Sequence, residues 1–300
     1  MKFCFVLKIF CVSLAFSFLA TTLAAEKTND LNSIARDILD TTKPEPERDA
    51  LLNANTHQSA NLIRAMANQL TIGTPDEYRG IPSIWRVAIA AGKRNNDLEL
   101  KEVLSASLPE LDEPLRDWQS VVIGGGIING LSLEGIWPRE RIETLLRDDA
   151  PLKNRWRRSI KLAALMADDE KIRPGTRYDA LRMLGVAPWK TYGAHLSKYL
   201  GKNVNGELQQ GAVSGLSDME SNEVANALIE NYENFTEGNR QFALDALIRT
   251  ESRITKLLNA IDNGKIKFSS LGAERVKKLK DSPHKKVRQR IEKLEKEMAL

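Results

Sequence analysis

Two runs of carboxylates have the residue types that acid–base chemistry needs. Asp148 and Asp149 form the first run, and Asp168, Asp169 and Glu170 form the second. Glycoside hydrolysis uses two carboxyl groups, one as an acid and one as a base or nucleophile. Both runs also lie where one stretch of helical periodicity gives way to the next, and a carboxylate there stabilises the start of the following helix. We therefore expect capping, and keep a polysaccharide-acting enzyme as the alternative.

A glycine-rich segment, Gly124–Gly130, is the second candidate site. A phosphate-binding loop requires the Lys-Ser/Thr pair of a P-loop or the G-x-G-x-x-G spacing after a strand, and the segment has none of these. Glycine also lets two backbones come into contact, because it has no side chain. The segment therefore predicts the start of a helix or a close crossing of two helices.

The histidine and cysteine positions do not predict a metal, thiol or haem site. His57, His195 and His284 are far apart in the sequence, and no pair has the spacing of metal ligands. Cys4 and Cys11 are the two cysteines of the chain, and both lie in an N-terminal segment that we expect to be removed. We therefore expect surface or capping histidines, a mature chain without thiols, and no cofactor.

The first 25 residues have the pattern of a secretory signal peptide. Lys2 and Lys8 precede an apolar run, Ile9–Ala20, and small residues follow it as far as Ala25. Cleavage before or after Ala25 predicts export to the periplasm or cell envelope. An uncleaved membrane anchor is the alternative.

The composition argues against a disordered chain and against a nucleic-acid partner. The 300 residues carry a formal net charge of +4, and 28% of them are charged. A chain of this size buries a sizeable core without disulfides or metals. Five of the eight phenylalanines lie in the predicted signal peptide, so the mature chain has few aromatic platforms for sugar rings. We expect the five tryptophans to fill the core, with a ligand track as the alternative.

Apolar residues recur at three- and four-residue spacing along most of the chain, which predicts helices. A first helix within 26–43 ends before Pro44, and no stretch alternates for long as a strand does. We therefore predict an all-α fold, with residues 26–45 as an N-terminal helix and linker and residues 46–300 as the main domain. Its helices are expected to be bounded by Pro82, Pro114, Pro138, Pro151, Pro174, Pro188 and Pro283.

An internal repeat predicts which all-α architecture this is. Three segments, 177–185, 209–217 and 240–248, align with an alanine and a leucine four residues apart. The alanines are Ala180, Ala212 and Ala243, and the leucines are Leu184, Leu216 and Leu247. Steps of about 31–32 residues hold two short helices and their turns, as in α-solenoids of the HEAT or armadillo type. We expect the three leucines to be buried between neighbouring repeats.

Several segments resemble the HEAT-repeat region of the PVC-type haem-binding proteins, often labelled membrane-bound dehydrogenases. They are Trp85–Gly92, Pro114–Gln119, Gly124–Leu131, Arg177–Gly185, Leu257–Lys265, Ala273–Leu279 and Ser282–Arg288. The resemblance covers most of residues 46–293. In that family a β-propeller precedes the repeats and a cytochrome c domain with a CxxCH haem site follows them, and this sequence shows neither pattern. The resemblance therefore implies a free-standing HEAT scaffold, and it does not extend to the redox activity or the haem ligands of that family.

The C-terminal 30 residues are basic, with ten Lys or Arg against five Asp or Glu. This end is a candidate surface for an acidic protein partner or for phospholipid head groups at a membrane surface. The alternative is a solvated capping repeat, because apolar residues alternate with the cations at helical spacing. The candidate partner-binding residues are Lys277, Lys278, Lys285, Lys286 and Arg288.

Two functions remain open at this point. We expect a non-catalytic scaffold in the periplasm or cell envelope, whose concave row of helices binds another exported protein. The resemblance suggests a dehydrogenase or cytochrome module as that partner. The alternative is an exported α/α-barrel enzyme that acts on polysaccharide with paired carboxylates. An open row of helices favours the scaffold, and a closed ring around a cleft with carboxylates favours the enzyme.

Overall fold

The computed structural model describes residues 30–298, and every regular element in that range is a helix. The prediction of an all-α fold is confirmed, while the predicted signal peptide, residues 1–25, lies outside the described residues. In chain order the helices are α1 (30–39), α2 (Glu45–Asn55), α3 (Ser59–Ala67), α4 (Pro75–Arg94), α5 (Asp97–Ser107), α6 (Asp117–Leu133), α7 (Pro138–Leu145), α8 (Ala150–Asp168), α9 (Pro174–Leu184), α10 (Trp189–Ser197), α11 (Gly206–Ser217), α12 (Glu223–Glu230), α13 (Glu237–Leu247), α14 (Glu251–Asp262), α15 (Gly272–Lys280) and α16 (Lys285–Met298).

Prolines begin several of these helices, as the sequence predicts. Pro138 and Pro174 are the first residues of α7 and α9, where a backbone N–H has no helical partner to lose. Pro82, however, lies inside α4, so its prediction as a helix boundary was wrong. The helix continues past it because the following apolar residues, Ile84 and Val87 among them, are buried in the core.

The glycine-rich segment lies in the middle of α6, where residues Val121–Ile128 form π-helical turns and are all buried. Gly126 packs against Ala88 of α4, and the Cα of Gly130 is in contact with Gly92 of the same helix. These contacts advance in the same direction along both helices, so α4 and α6 run parallel. The expected close crossing is therefore present, and glycine is needed because a Cβ would overlap the facing backbone.

A second pair of parallel helices, α9 and α11, approaches in the same way. Gly211 lies against the backbone of Tyr178, and Gly185 lies against Gly215 one to two turns further on. On the other side of α9, Gly124 of α6 meets the carbonyl oxygen of Asp179. Close backbone contact thus recurs from α4 through α6 and α9 to α11.

The helices pack in two layers. The front row consists of α4, α6, α9, α11 and α13, each of which packs on the next. The back row consists of α10, α12, α14 and α16, which also pack in succession. The core lies between the rows, and α1 joins it through Leu31 and Ile38. Leu184, Leu216 and Leu247 are fully buried there, which confirms their predicted burial.

Within residues 30–298, no single helix is both long and apolar enough to cross a membrane. Together α6 and α7 reach the required length and composition, with a bend of 109° between them.

Replacing Gly124 by alanine is expected to lower the free energy of unfolding by about 1–3 kcal/mol. Alanine stabilises a helix relative to glycine, but here the added Cβ would overlap the carbonyl oxygen of Asp179. Urea denaturation measures the change. The matched control is Gly238→Ala in α13, where no atom lies within 4 Å of the added Cβ and where the variant should gain about 0.5–1 kcal/mol. Equal effects of the two substitutions would contradict the close crossing.

Candidate functional site

A single buried carboxylate joins three helices of the front row. Asp218, just after α11, keeps only 1% of its side chain exposed. Its Oδ1 accepts from Ser132 Oγ at 2.5 Å and from Arg249 Nη1 at 2.6 Å, and its Oδ2 accepts from Arg182 Nη2 at 3.4 Å. Ser132 belongs to α6 and Arg182 to α9, while Arg249 follows α13. A buried charge requires such pairing, so the carboxylate links the ends of these helices.

Three arginines surround this one carboxylate. Arg253 lies deepest and donates to the carbonyl oxygens of Ser217 and Ala246 at 3.0 and 3.2 Å. Burial and the neighbouring positive charge of Arg249 lower the pKa of Arg253 to about 10, so it remains charged at neutral pH. The Nε of Arg182 is buried and has no partner among residues 30–298. The cluster therefore carries more positive than negative charge.

Arg249 is held from two directions. Its Nη1 donates to the carbonyl oxygen and the hydroxyl of Ser217 at 2.9 and 3.1 Å, in addition to the bond with the buried carboxylate. Its guanidinium carbon lies 4.2 Å from the ring centre of Trp137, and that of Arg253 lies 5.7 Å away. A cation over an indole face is attracted by the ring's negative potential. The side chain is therefore fixed in one position.

A groove of about 800 Å³ opens above this cluster. It crosses α9, α11 and α13, with the turn between α6 and α7 and the helix α15 also contributing to its lining. Phe242 is 46% exposed in it, and Arg249 and Lys278 supply the positive charge. We call it the front groove. Its principal lining residues are Tyr178, Gln210, Ser214, Phe242, Arg249 and Lys278.

The tryptophans take more than one role. Trp156 is buried in the core, and Trp118 and Trp189 pack against it while partly buried. Trp137 instead lines the front groove beneath the arginines. Trp85 is exposed, and its indole N–H donates to a backbone carbonyl of α6 at 2.6 Å. The expectation of core packing therefore holds for three of the five residues.

The two carboxylate runs lie at opposite ends of α8. Asp149 caps this helix as predicted, because its Oδ1 accepts from the N–H of Leu152 at 3.0 Å. Asp168 does not cap the next helix, so that expectation was wrong. Its Oδ1 accepts from Tyr199 Oη at 2.6 Å and lies 2.9 Å from His195 Nε2. It therefore ties the end of α8 to α10 and the turn after it.

The separation of the runs matters for the enzyme alternative. The 19 residues of α8 hold them roughly 27 Å apart along its axis, whereas paired glycosidase carboxyl groups lie about 5–10 Å apart. The two runs therefore cannot work as one acid–base pair.

Burial, together with the bond to Asp168, raises the pKa of Tyr199 to about 12. The Tyr199 hydroxyl is thus a hydrogen-bond donor at neutral pH.

The other histidines occupy surface positions. His57 Nδ1 lies 3.0 Å from the carbonyl oxygen of Ala54, and His284 Nδ1 lies 3.0 Å from Glu251 Oε2. No three His, Cys, Asp or Glu side chains come together as a metal site in the part of the chain that the structure describes.

The basic C-terminal residues extend over α15, α16 and the surface between them. Lys277, Lys278, Lys285 and Lys286 are exposed, and Arg288 donates to the carbonyl oxygen of a preceding turn at 2.6 Å. Lys278 lines the front groove, whereas Lys277 does not. The apolar residues between these cations, such as Leu279, Val287 and Ile291, are buried. The structure thus brings one of the five candidate residues to the groove.

A second cleft, of about 850 Å³, lies between α7, α8 and the start of α10. Trp156 and Val186 contribute to its lining, together with a stripe of cations on α8, Lys153, Arg157 and Lys161. Sequence reasoning missed this feature, although three cations at four-residue spacing on a predicted helix are a visible signal. Glu140 and Glu143 on the opposite wall offset part of its charge.

Asp179 is a further buried carboxyl group, in the seam between α6 and α9. Its Oδ1 and the indole of Trp85 both pack on Gly125 of α6. Burial raises the pKa of Asp179 well above the usual value, and the nearby charge of Arg182 opposes this only in part. A neutral carboxyl group therefore fits this seam.

Comparisons with known proteins add no family to this description. No family model, no curated protein and no solved structure matches the chain.

Replacing Asp218 by asparagine is expected to lower the free energy of unfolding by about 3–5 kcal/mol, because removing one partner leaves buried arginines uncompensated. Chemical denaturation at neutral pH measures the loss. Asp245→Asn is the control, since its pair with Arg275 at 2.6 Å is more exposed and such pairs contribute about 0–1 kcal/mol. A loss at Asp218 no larger than at Asp245 would contradict the role of the buried carboxylate.

Replacing Asp179 by asparagine is expected to stabilise the protein at neutral pH. Between the usual Asp pKa and the raised one, the folded state keeps a proton that the unfolded state releases, so the free energy of unfolding falls as pH rises. Asparagine does not titrate, so the free energy of unfolding of the variant does not fall with pH for this reason. Denaturation curves of both proteins from pH 4 to pH 7 should therefore diverge as pH increases. A difference that is constant with pH would show that Asp179 titrates normally.

Proposed function

We propose that the chain is an exported, non-catalytic scaffold of HEAT- or armadillo-like repeats that binds another envelope protein in the front groove. The observation that carries the proposal is the position of Tyr178, Gln210 and Phe242. They lie on three successive helices of the front row at steps of 32 residues, and all three line the groove. Tyr178 and Gln210 lie two residues before the aligned alanines of their helices and Phe242 lies one residue before, so neighbouring positions of each repeat contribute to one continuous surface.

The two-layer packing supports the repeat part of this proposal. Front-row helices run parallel where glycine contacts define their direction. The back-row helices also contact one another in chain order. A helix pair that packs on the preceding pair is the unit of an α-solenoid. The buried alanines Ala180, Ala212 and Ala243 occupy the same place in α9, α11 and α13.

Binding rather than catalysis agrees with the chemistry of the groove. Its two carboxylates, Asp218 and Asp245, are each bonded to arginine, so neither is placed to act as a free base. The exposed aromatic and cationic side chains instead suit contact with a protein surface, since interfaces are enriched in aromatic residues and arginine. The basic residues Lys277, Lys285 and Lys286 provide an additional contact beside the groove.

Export and the kind of partner stay predictions from the sequence. Export follows from residues 1–25, and a dehydrogenase or cytochrome module as partner follows from the family resemblance.

A photo-crosslinking amino acid tests the proposal directly. Placed at Gln210 or Phe242 in the full-length chain, expressed in its own cells, it should form an adduct with the same protein from both positions, because both lie in one groove. The control position is Leu165 on α8, which is 69% exposed and outside the groove. Mass spectrometry identifies the adducts. Equal yields from Leu165 and the groove positions, or no adduct from either groove position, would refute the assignment.

A further inference from the structure

Arg249 lines the front groove and has hydrogen-bond donors that no protein group uses. Its Nη1 makes the three bonds described above, whereas Nε and Nη2 have no partner within the described range 30–298. Both nitrogens keep contact with solvent, in contrast to the buried Nε of Arg182. The Arg249 side chain keeps 19% of its surface exposed. The outer edge of a guanidinium presents two parallel N–H groups, which match the two oxygens of a carboxylate.

The guanidinium is already in place for such a ligand. Trp137 covers one face at 4.2 Å, and Ser217 and the buried Asp218 hold its inner edge. An arginine that is fixed before binding loses little side-chain entropy when a ligand arrives. An exposed arginine on a flexible stem would lose more.

The unpaired charge of the front groove is positive. Asp218 is shared by two arginines, and Asp245 is bonded to Arg275 through both oxygens at 2.6 and 2.9 Å. Lys278 is exposed on the groove wall and has no ion pair among the residues that the structure describes. Charge complementarity therefore favours an anionic group beside Arg249 and Lys278.

An apolar contact lies at a defined distance from this charge. Phe242 precedes Arg249 by seven residues, which corresponds to roughly 10 Å of helix rise. Neighbouring helices are also about 8–10 Å apart, so α15 with Lys278 is one helix spacing from α13. An extended peptide covers that distance in about three residues.

We propose that the front groove binds an extended peptide segment of the partner, with a Glu or Asp carboxylate on Arg249 and Lys278 and an apolar side chain on Phe242 about three residues away. This inference rests on the proposed function and names the chemistry of the partner. A peptide carboxylate is the proposed occupant, and the experiment below distinguishes it from a lipid phosphate.

A library of random 12-residue peptides displayed on phage, selected on the full-length protein, tests the inference. Selected peptides should be enriched in Glu or Asp about three residues from an aromatic or aliphatic residue. A labelled synthetic peptide of the selected sequence should lose at least about tenfold in affinity when its acidic residue is changed to the amide. Affinity should also fall as salt rises, since exposed charges are screened.

Matched variants locate the contact. Lys278→Gln and Phe242→Ala change exposed side chains, so they should weaken the peptide severalfold while leaving thermal unfolding nearly unchanged. Lys265→Gln, which changes an exposed cation outside the groove, is the control and should bind as the unchanged protein does. Arg249→Lys keeps the charge but not the paired N–H groups, and it should weaken binding more than Lys278→Gln.

Three results would overturn the inference. The first is a selection without acidic enrichment, or without any binder. The second is equal affinity of the Lys278 and Lys265 variants. The third is binding of phosphatidylglycerol vesicles that depends on Arg249 and displaces the peptide, which would assign the site to a lipid head group. If adducts still form from Phe242 in the crosslinking experiment, the proposed function survives and the carboxylate subsite alone is wrong.

Discussion

Close backbone contact between parallel helices is the constraint on which the groove and its charged floor depend. Where Gly92 meets Gly130 and Gly185 meets Gly215, no side chain separates the helices. The ends of α6, α9 and α11 therefore come near enough for side chains as short as serine and aspartate to bond across them, as Ser132 and Asp218 do. A wider spacing would require longer side chains, which lose more entropy on being ordered.

The charge imbalance that follows leaves the groove with an excess of positive charge at its floor. Three arginines meet one carboxylate, and backbone carbonyl oxygens accept further N–H groups of Arg249 and Arg253. Such oxygens stabilise a guanidinium without neutralising it. The excess charge stays in the cluster, and Arg249 is the member that keeps contact with solvent. Stability and the proposed recognition thus depend on the same residues, since Asp218 both links the helices and orients Arg249.

Sequence reasoning reached the parts of this structure that depend on local pattern. Helical periodicity predicted the all-α fold, the aligned leucines were recognised as core residues, and the glycine run was interpreted as a close crossing. It did not reach the Asp218 cluster, because Ser132 and Arg249 are separated by more than a hundred residues and no spacing rule connects them. Pro82 and Asp168 were misjudged for a related reason. Burial of a helix face carries α4 past its proline, and a partner on another helix draws Asp168 away from capping.

The span of the cluster along the chain affects how the protein is made. A ribosome releases α6 and α9 first, and Arg182 then has no counter-ion until Asp218 follows, while Asp218 lacks Arg249 until α13 is complete. Early segments can form helices, but they cannot close the floor of the groove. Under the proposed function, ligand binding therefore requires the whole front row, because a truncated product that ends before α13 lacks Phe242, Arg249 and Lys278 of the groove.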